Sequence, residues 1–249
     1  MNFKNLGLSD QTVRAIEEQG ILTPTTVQAD VIPSVLEGKD IFTIAPSRSG
    51  KTYSYVMPLI DIIEQNQNKN ILIITADSYQ AANVSDSFAV FGKYHKQKDD
   101  VNASSVIIAT PDLILDLAID EKVELSKINI LVVDDINLIK KKHQLSNLEK
   151  ILEKLPSDKQ NIVFTNRRSK ETQLILDKIL KTPTEIKVDK NKEDEVESFE
   201  AQKKEAPVCN KADALDDEAV ELSKKYRVFG DKTPRFLLIK GELAPKEAE

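Results

Sequence analysis

A single cysteine, Cys209, stands in 249 residues. No intrachain disulfide can form, and a reducing compartment, the cytoplasm, suits such a chain. Long apolar runs are missing as well. None approaches the roughly 20 residues that span a bilayer, so no membrane partner is expected. The opening Met1-Asn2-Phe3-Lys4-Asn5 has no apolar core of the signal-peptide kind. Two histidines are present, His95 and His143. They lie far apart with no cysteine cluster beside them, and both read as surface residues rather than ligands. Nor is positive charge in surplus. The net charge is −6, with 23 basic against 25 acidic residues over 1–188 and 12 against 16 over 189–249. A nucleic-acid binder usually gathers Lys and Arg in excess on one face, and this chain has no such excess overall.

What is there centres on one stretch. Asp40 to Ile44 is apolar enough for a buried strand, and Ala45-Pro46-Ser47-Arg48-Ser49-Gly50-Lys51-Thr52 follows it. From Tyr53 to Glu64 the apolar positions Val56, Leu59, Ile60 and Ile63 recur at helical spacing. A strand, a tight turn carrying Gly-Lys-Thr and a helix are the setting of a phosphate-binding loop. Backbone amides and the helix N-terminus would face the anion. Lys51 would reach the β and γ phosphates, and the Thr52 hydroxyl would sit on Mg²⁺. The usual first glycine is Ala45, and Arg48 occupies a place where a small residue would let phosphate approach the backbone. Either the turn is distorted, since a positive φ is costly for arginine, or the Arg48 side chain itself contacts phosphate or a carboxylate.

Along the rest of the chain, Ser9 reads as the N-cap of a helix to about Gln19, closed by Gly20. Pro24-Thr25-Thr26 opens a second helix to Leu36. Further strands are expected at 70–75, 105–110, 128–133, 161–164 and 184–188, and helices at 145–155 and 169–180, with a helix whose first residue is Pro111. Residues 92–104 read as a polar loop. Past Val188 a charge run, Asp189 to Glu200, reads as a solvated linker. The remainder reads as an irregular acidic tail with one helix at 212–226 and a small apolar cluster, Phe236 to Ile239. The fold expectation is one doubly wound α/β domain with a mainly parallel sheet over 1–188, and an irregular tail over 189–249.

The segment from Phe3 through Gly20-Ile21-Leu22-Thr23-Pro24-Thr25-Thr26-Val27-Gln28, followed by the loop at 45–52, resembles the opening of a DEAD-box RNA helicase. The resemblance covers about three-quarters of the chain and implies a RecA-like domain that binds ATP and Mg²⁺. It implies that Gln28 reads the adenine edge with its carboxamide, which both donates and accepts, and that Phe3 supports that segment. Ile21 stands where the family has a stacking aromatic. Asp134-Asp135-Ile136-Asn137 stands for Asp-Glu-Ala-Asp: Asp134 keeps the carboxylate that orients Mg²⁺ through water, and Asp135 is one methylene short of the glutamate that polarises the attacking water. Thr165-Asn166-Arg167 stands for Ser-Ala-Thr, and Ser78 and Leu113 stand at positions of RNA-binding arginines. A second RecA-like domain with its arginine finger does not fit in about 60 residues. The resemblance thus implies a degenerate, single-domain relative that binds adenine nucleotide, binds RNA weakly if at all, and neither hydrolyses ATP efficiently nor unwinds RNA alone. Two alternatives stand beside it. One is a working ATPase completed by a partner chain. The other is a non-enzymatic scaffold acting through its surface and C-terminal tail.

Overall fold

The computed structural model describes residues 2–65, 69–95, 106–180 and 182–188. Residues 96–104 of the loop expected at 92–104, and the linker, helix and apolar cluster expected beyond 188, lie outside them. The elements run α1 (Asp10–Glu18), α2 (Thr26–Leu36), β1 (Ile41–Ile44), α3 (Lys51–Gln65), β2 (Ile71–Ile74), α4 (Ser78–Phe91), β3 (Val106–Ala109), α5 (Pro111–Ile119), β4 (Ile130–Val133), α6 (Ile136–Lys141), α7 (Leu145–Lys154), β5 (Gln160–Thr165), α8 (Lys170–Ile179) and β6 (Thr184–Lys187). The six strands form one sheet in the order β3-β2-β4-β5-β1-β6, every pair parallel.

Strands such as Ile71-Leu72-Ile73-Ile74 are buried throughout because both faces of the sheet are covered. Ile71 and Ile73 point into a core shared with α1 to α4, and Leu72 and Ile74 into a second core with α5 to α8. This is the doubly wound architecture expected from the apolar runs. Two helices that the sequence reading left unassigned complete it. The short α6 follows β4. In α4, Ala81, Val84, Phe88 and Phe91 make the buried stripe, and Asp77 caps the helix by accepting from the Gln80 amide at 2.9 Å.

The N-terminal helix is locked to α3 by a buried carboxylate. Asp61 accepts from the Ser9 amide and hydroxyl, each at 2.7 Å, and from the Thr12 hydroxyl at 2.6 Å. His95 joins this group, with Nε2 at 2.8 Å from Thr12 Oγ1 and 3.6 Å from Asp61 Oδ1. Its side chain is 9% exposed, so the expectation of a surface histidine is wrong: the imidazole closes the gap between α1 and the end of α4.

A candidate nucleotide site at the sheet edge

In a parallel sheet all strand C-termini share one edge, and β4, β5 and β1 are adjacent there. The phosphate loop after β1, the Asp134-Asp135 pair after β4 and Thr165-Asn166-Arg167 after β5 therefore meet, although up to about 120 residues separate them in the chain.

The loop is braced from below. Thr25 and Gln28 form a capping box on α2: Gln28 Oε1 accepts from the Thr25 amide at 3.0 Å. The same two side chains reach the loop, Thr25 Oγ1 donating to the Ser49 carbonyl at 3.0 Å and Gln28 Nε2 lying 3.5 Å from the Gly50 carbonyl. A Cβ on Gly50 would come within 2.7 Å of Gln28 Nε2, and Gly50 has φ +83°, so only glycine suits this position. Gln28 is 2% exposed. Its carboxamide is thus first a strut beneath the loop, and one amide proton and one oxygen lone pair remain for a ligand. Phe3 is brought elsewhere, into a buried 3₁₀ turn (Phe3–Leu6) packed on α1 and α2, where it supports the segment without reaching the loop.

Inside the loop the Lys51 ammonium is buried and donates to the carbonyls of Ala45 at 3.1 Å and Pro46 at 2.5 Å. Ser49 Oγ donates to the Pro46 carbonyl at 2.9 Å. Ser47 and Arg48 are exposed at the tip, and Thr52 is half-buried in the first turn of α3. Arg48 has φ +66°. The strain that its sequence position implies is therefore present, at about 1–3 kcal/mol for a non-glycine residue in the left-handed region.

Facing the loop, Asp134 is buried and accepts from the Tyr55 hydroxyl at 3.1 Å. Burial raises its carboxyl to a pKa of about 6; the Tyr55 hydrogen bond and the Lys51 charge pull the other way, and Asp135 adds to the rise. Burial, then the Asp134 charge, pushes the Tyr55 phenol well above its usual value, so it serves as a donor. Tyr55 escaped the sequence reading, although it lies one turn after Lys51 on the same helix face. Asp135 has φ +60° and caps α6, with Oδ1 accepting from the Leu138 amide at 3.2 Å. Asn137 is 4% exposed. Its Nδ2 lies 2.7 Å from Thr165 Oγ1, 3.1 Å from Asn166 Oδ1 and 2.6 Å from the Arg167 carbonyl. Three acceptors around one nitrogen require a donor, which an aspartate would not provide. Asn137 thus joins the β4 and β5 ends by donating.

The donor set fits a nucleotide polyphosphate: a buried ammonium, a hydroxyl on the first helical turn, and the amides of a helix N-terminus. Among the described residues no group of three or more His, Cys, Asp or Glu side chains could hold a metal by itself. Mg²⁺ is usually held by one or two carboxylates together with substrate phosphates, and Asp134 with Thr52 meets that requirement. Among the same residues no helix is long and apolar enough to cross a membrane.

Comparison with known proteins agrees with this geometry. A family model described as DEAD/DEAH box helicase matches residues 25–173. The DEAD-box ATP-dependent RNA helicase RhpA of Helicobacter pylori is 27% identical over 202 residues, 75% of this chain and 41% of that protein. The ATP-dependent RNA helicase DbpA of Bacillus subtilis is 29% identical over 203 residues, 75% of this chain and 42% of that protein. The crystal structure of a DEAD box protein from the hyperthermophile Methanococcus jannaschii superposes with a TM-score of 0.71 at 26% identity, over 77% of this chain and 57% of that one. The chain thus spans about half the length of the relatives it matches.

Proposed function

The chain belongs to the DEAD/DEAH box helicase family, and within that family we propose that it is a nucleotide-binding member with weakened hydrolysis, its 1–188 region forming the binding domain. The observation that carries this reading is the Lys51 ammonium, buried within the loop and facing the buried Asp134 carboxylate across the edge of the sheet. Lys51 would exchange the Ala45 and Pro46 carbonyls for phosphate oxygens, a charge-assisted bond of the strong kind. Thr52 and Asp134 would hold Mg²⁺, which when bound neutralises phosphate charge. Gln28 would read adenine with the donor and acceptor that bracing leaves it. Asp135 is a poor general base here, because its short carboxylate already caps α6 and a misplacement of about 1 Å can cost roughly a hundredfold in rate. RNA would bind weakly, given Ser78 and Leu113 and the missing charge surplus. The lone cysteine suits a cytoplasmic setting.

A second reading has specific support. Because the chain covers 41% and 42% of its helicase relatives, a further domain or a partner chain could complete the site and restore turnover. Titrating the purified chain with ATP·Mg²⁺ tests the first reading. Lys51→Ala should lower affinity about 100-fold or more, and Gln28→Ala should flatten the preference for ATP over GTP. Equal affinity of wild type and Lys51→Ala would refute it. Adding candidate partners and RNA to an ATPase assay tests the second.

A further inference from the structure

Beside the phosphate loop lies a cleft of about 490 Å³ lined by Pro46, Ser47, Lys141, Asn166 and Arg167. Two walls come from the loop and two from the ends of α6 and β5. The charges around it are paired selectively. Lys140 is bound to Glu171, Lys142 lies 3.6 Å from Asp77, and Arg168 lies 2.5 Å from Glu185. Lys141 and Arg167, the two cations that line the cleft, have no ion pair among the described residues.

The root of Arg167 is also fixed. Its carbonyl accepts from Asn137 Nδ2 at 2.6 Å and from Thr165 Oγ1 at 2.8 Å, and its amide lies 3.4 Å from Thr165 Oγ1. A backbone pinned at both polar groups limits where the guanidinium can go, so less freedom is lost when it meets a ligand. In a domain with more acidic than basic residues, two cations without an ion pair among the described residues thus share one cleft with the phosphate loop.

We propose that Lys141 and Arg167 form a subsite for the terminal phosphate of a nucleoside triphosphate held by the loop. This rests on the nucleotide reading above and deepens it: the chain carries in its own first domain the cations that distinguish a triphosphate from a diphosphate. Asn137 and Thr165 are positioning residues that act through the Arg167 backbone. The guanidinium suits the task because its planar fork bonds two phosphate oxygens at once. The two carboxylates of Asp134 and Asp135, on the neighbouring strand end, oppose a bare anion, so the subsite favours phosphate that arrives with Mg²⁺.

Equilibrium titrations with Mg²⁺ and either ADP or a non-hydrolysable adenosine triphosphate analogue test this on the full chain. Wild type should prefer the triphosphate. Arg167→Ala and Lys141→Ala should each lower triphosphate affinity about tenfold and leave ADP affinity within twofold. Arg167→Lys should recover part of the preference. Both side chains are exposed, so thermal melting should match wild type. If both nucleotides bind and neither variant moves their ratio, the subsite is refuted while the nucleotide reading stands. If wild type binds neither nucleotide, the nucleotide reading fails and the subsite with it.

Discussion

The two halves of the sheet edge depart from the family pattern in opposite ways. On the β4–β5–β1 side the departures cost stability or demand special partners. Arg48 at φ +66° and Asp135 at φ +60° occupy left-handed backbone, and Asn137 must supply a donor to three acceptors. On the β2–β3 side the departures stabilise. Asp77 caps α4 and lies near Lys142. Leu113 is half-buried against the second core, where an arginine would leave a charge. Strain that persists at a site points to a task that keeps it there. On the other half, Asp77 and Leu113 serve capping and packing, which supports the weak RNA binding proposed above. The comparison therefore supports the proposed ligand binding on the loop side.

The largest effect belongs to Asp134. Its carboxyl is raised from 3.8 to about 6 in the fold. The native state therefore holds this proton more tightly than the unfolded chain, and stability falls as pH rises through that window. The loss is on the order of 3 kcal/mol. Urea melts in chelator across that range should show the decline, and Asp134→Asn should flatten it. A wild-type curve that rises steadily with pH would show that Asp134 is not the desolvated carboxylate described here. Next, Asn137→Asp should destabilise by about 1–3 kcal/mol, by replacing a donor with buried charge among acceptors. It should also erase the triphosphate preference assigned to Arg167. Urea melting and the paired nucleotide titrations check the two effects.

Smaller changes probe the other half. Leu113→Arg should cost about 1–2 kcal/mol through lost packing, whereas exposed Ser78→Arg should cost less than about 0.5 kcal/mol. Together they should steepen the salt dependence of single-stranded RNA binding by up to ~0.7 per new phosphate contact. An unchanged salt slope would mean that these positions do not face RNA. Arg48→Gly should stabilise the chain by about 1 kcal/mol by relieving the left-handed turn, read as a rise in the melting midpoint. A fall would show that the Arg48 side chain holds the loop.

Much of this was legible beforehand, for physical reasons. Runs such as Ile71–Ile74 and Ile130–Val133 are apolar on both faces, which only a sheet covered on both sides tolerates. Pro24-Thr25-Thr26 marks the start of α2, Pro111 stands at the first helical position, and the strain at Arg48 follows from arginine in a glycine's place. Other features depended on tertiary contact. The α4 stripe is interrupted by Asn83, Ser85 and Ser87, and its first residues drew attention as a motif. His95 is buried only because Thr12 and Asp61, far away in the chain, come to meet it. Lys141 and Arg167 look like any surface cations until their neighbours are seen to be paired.

The central proposal is that this chain binds nucleotide and turns it over slowly, with little response to RNA. Steady-state ATP hydrolysis by the purified chain, with and without saturating single-stranded RNA at one salt concentration, tests it most directly. The account predicts turnover on the order of 10⁻³ s⁻¹ or slower, as in phosphoryl-transfer sites without a finger, changed less than about twofold by RNA. Turnover near ~1 s⁻¹ that rises tenfold or more with RNA would contradict it.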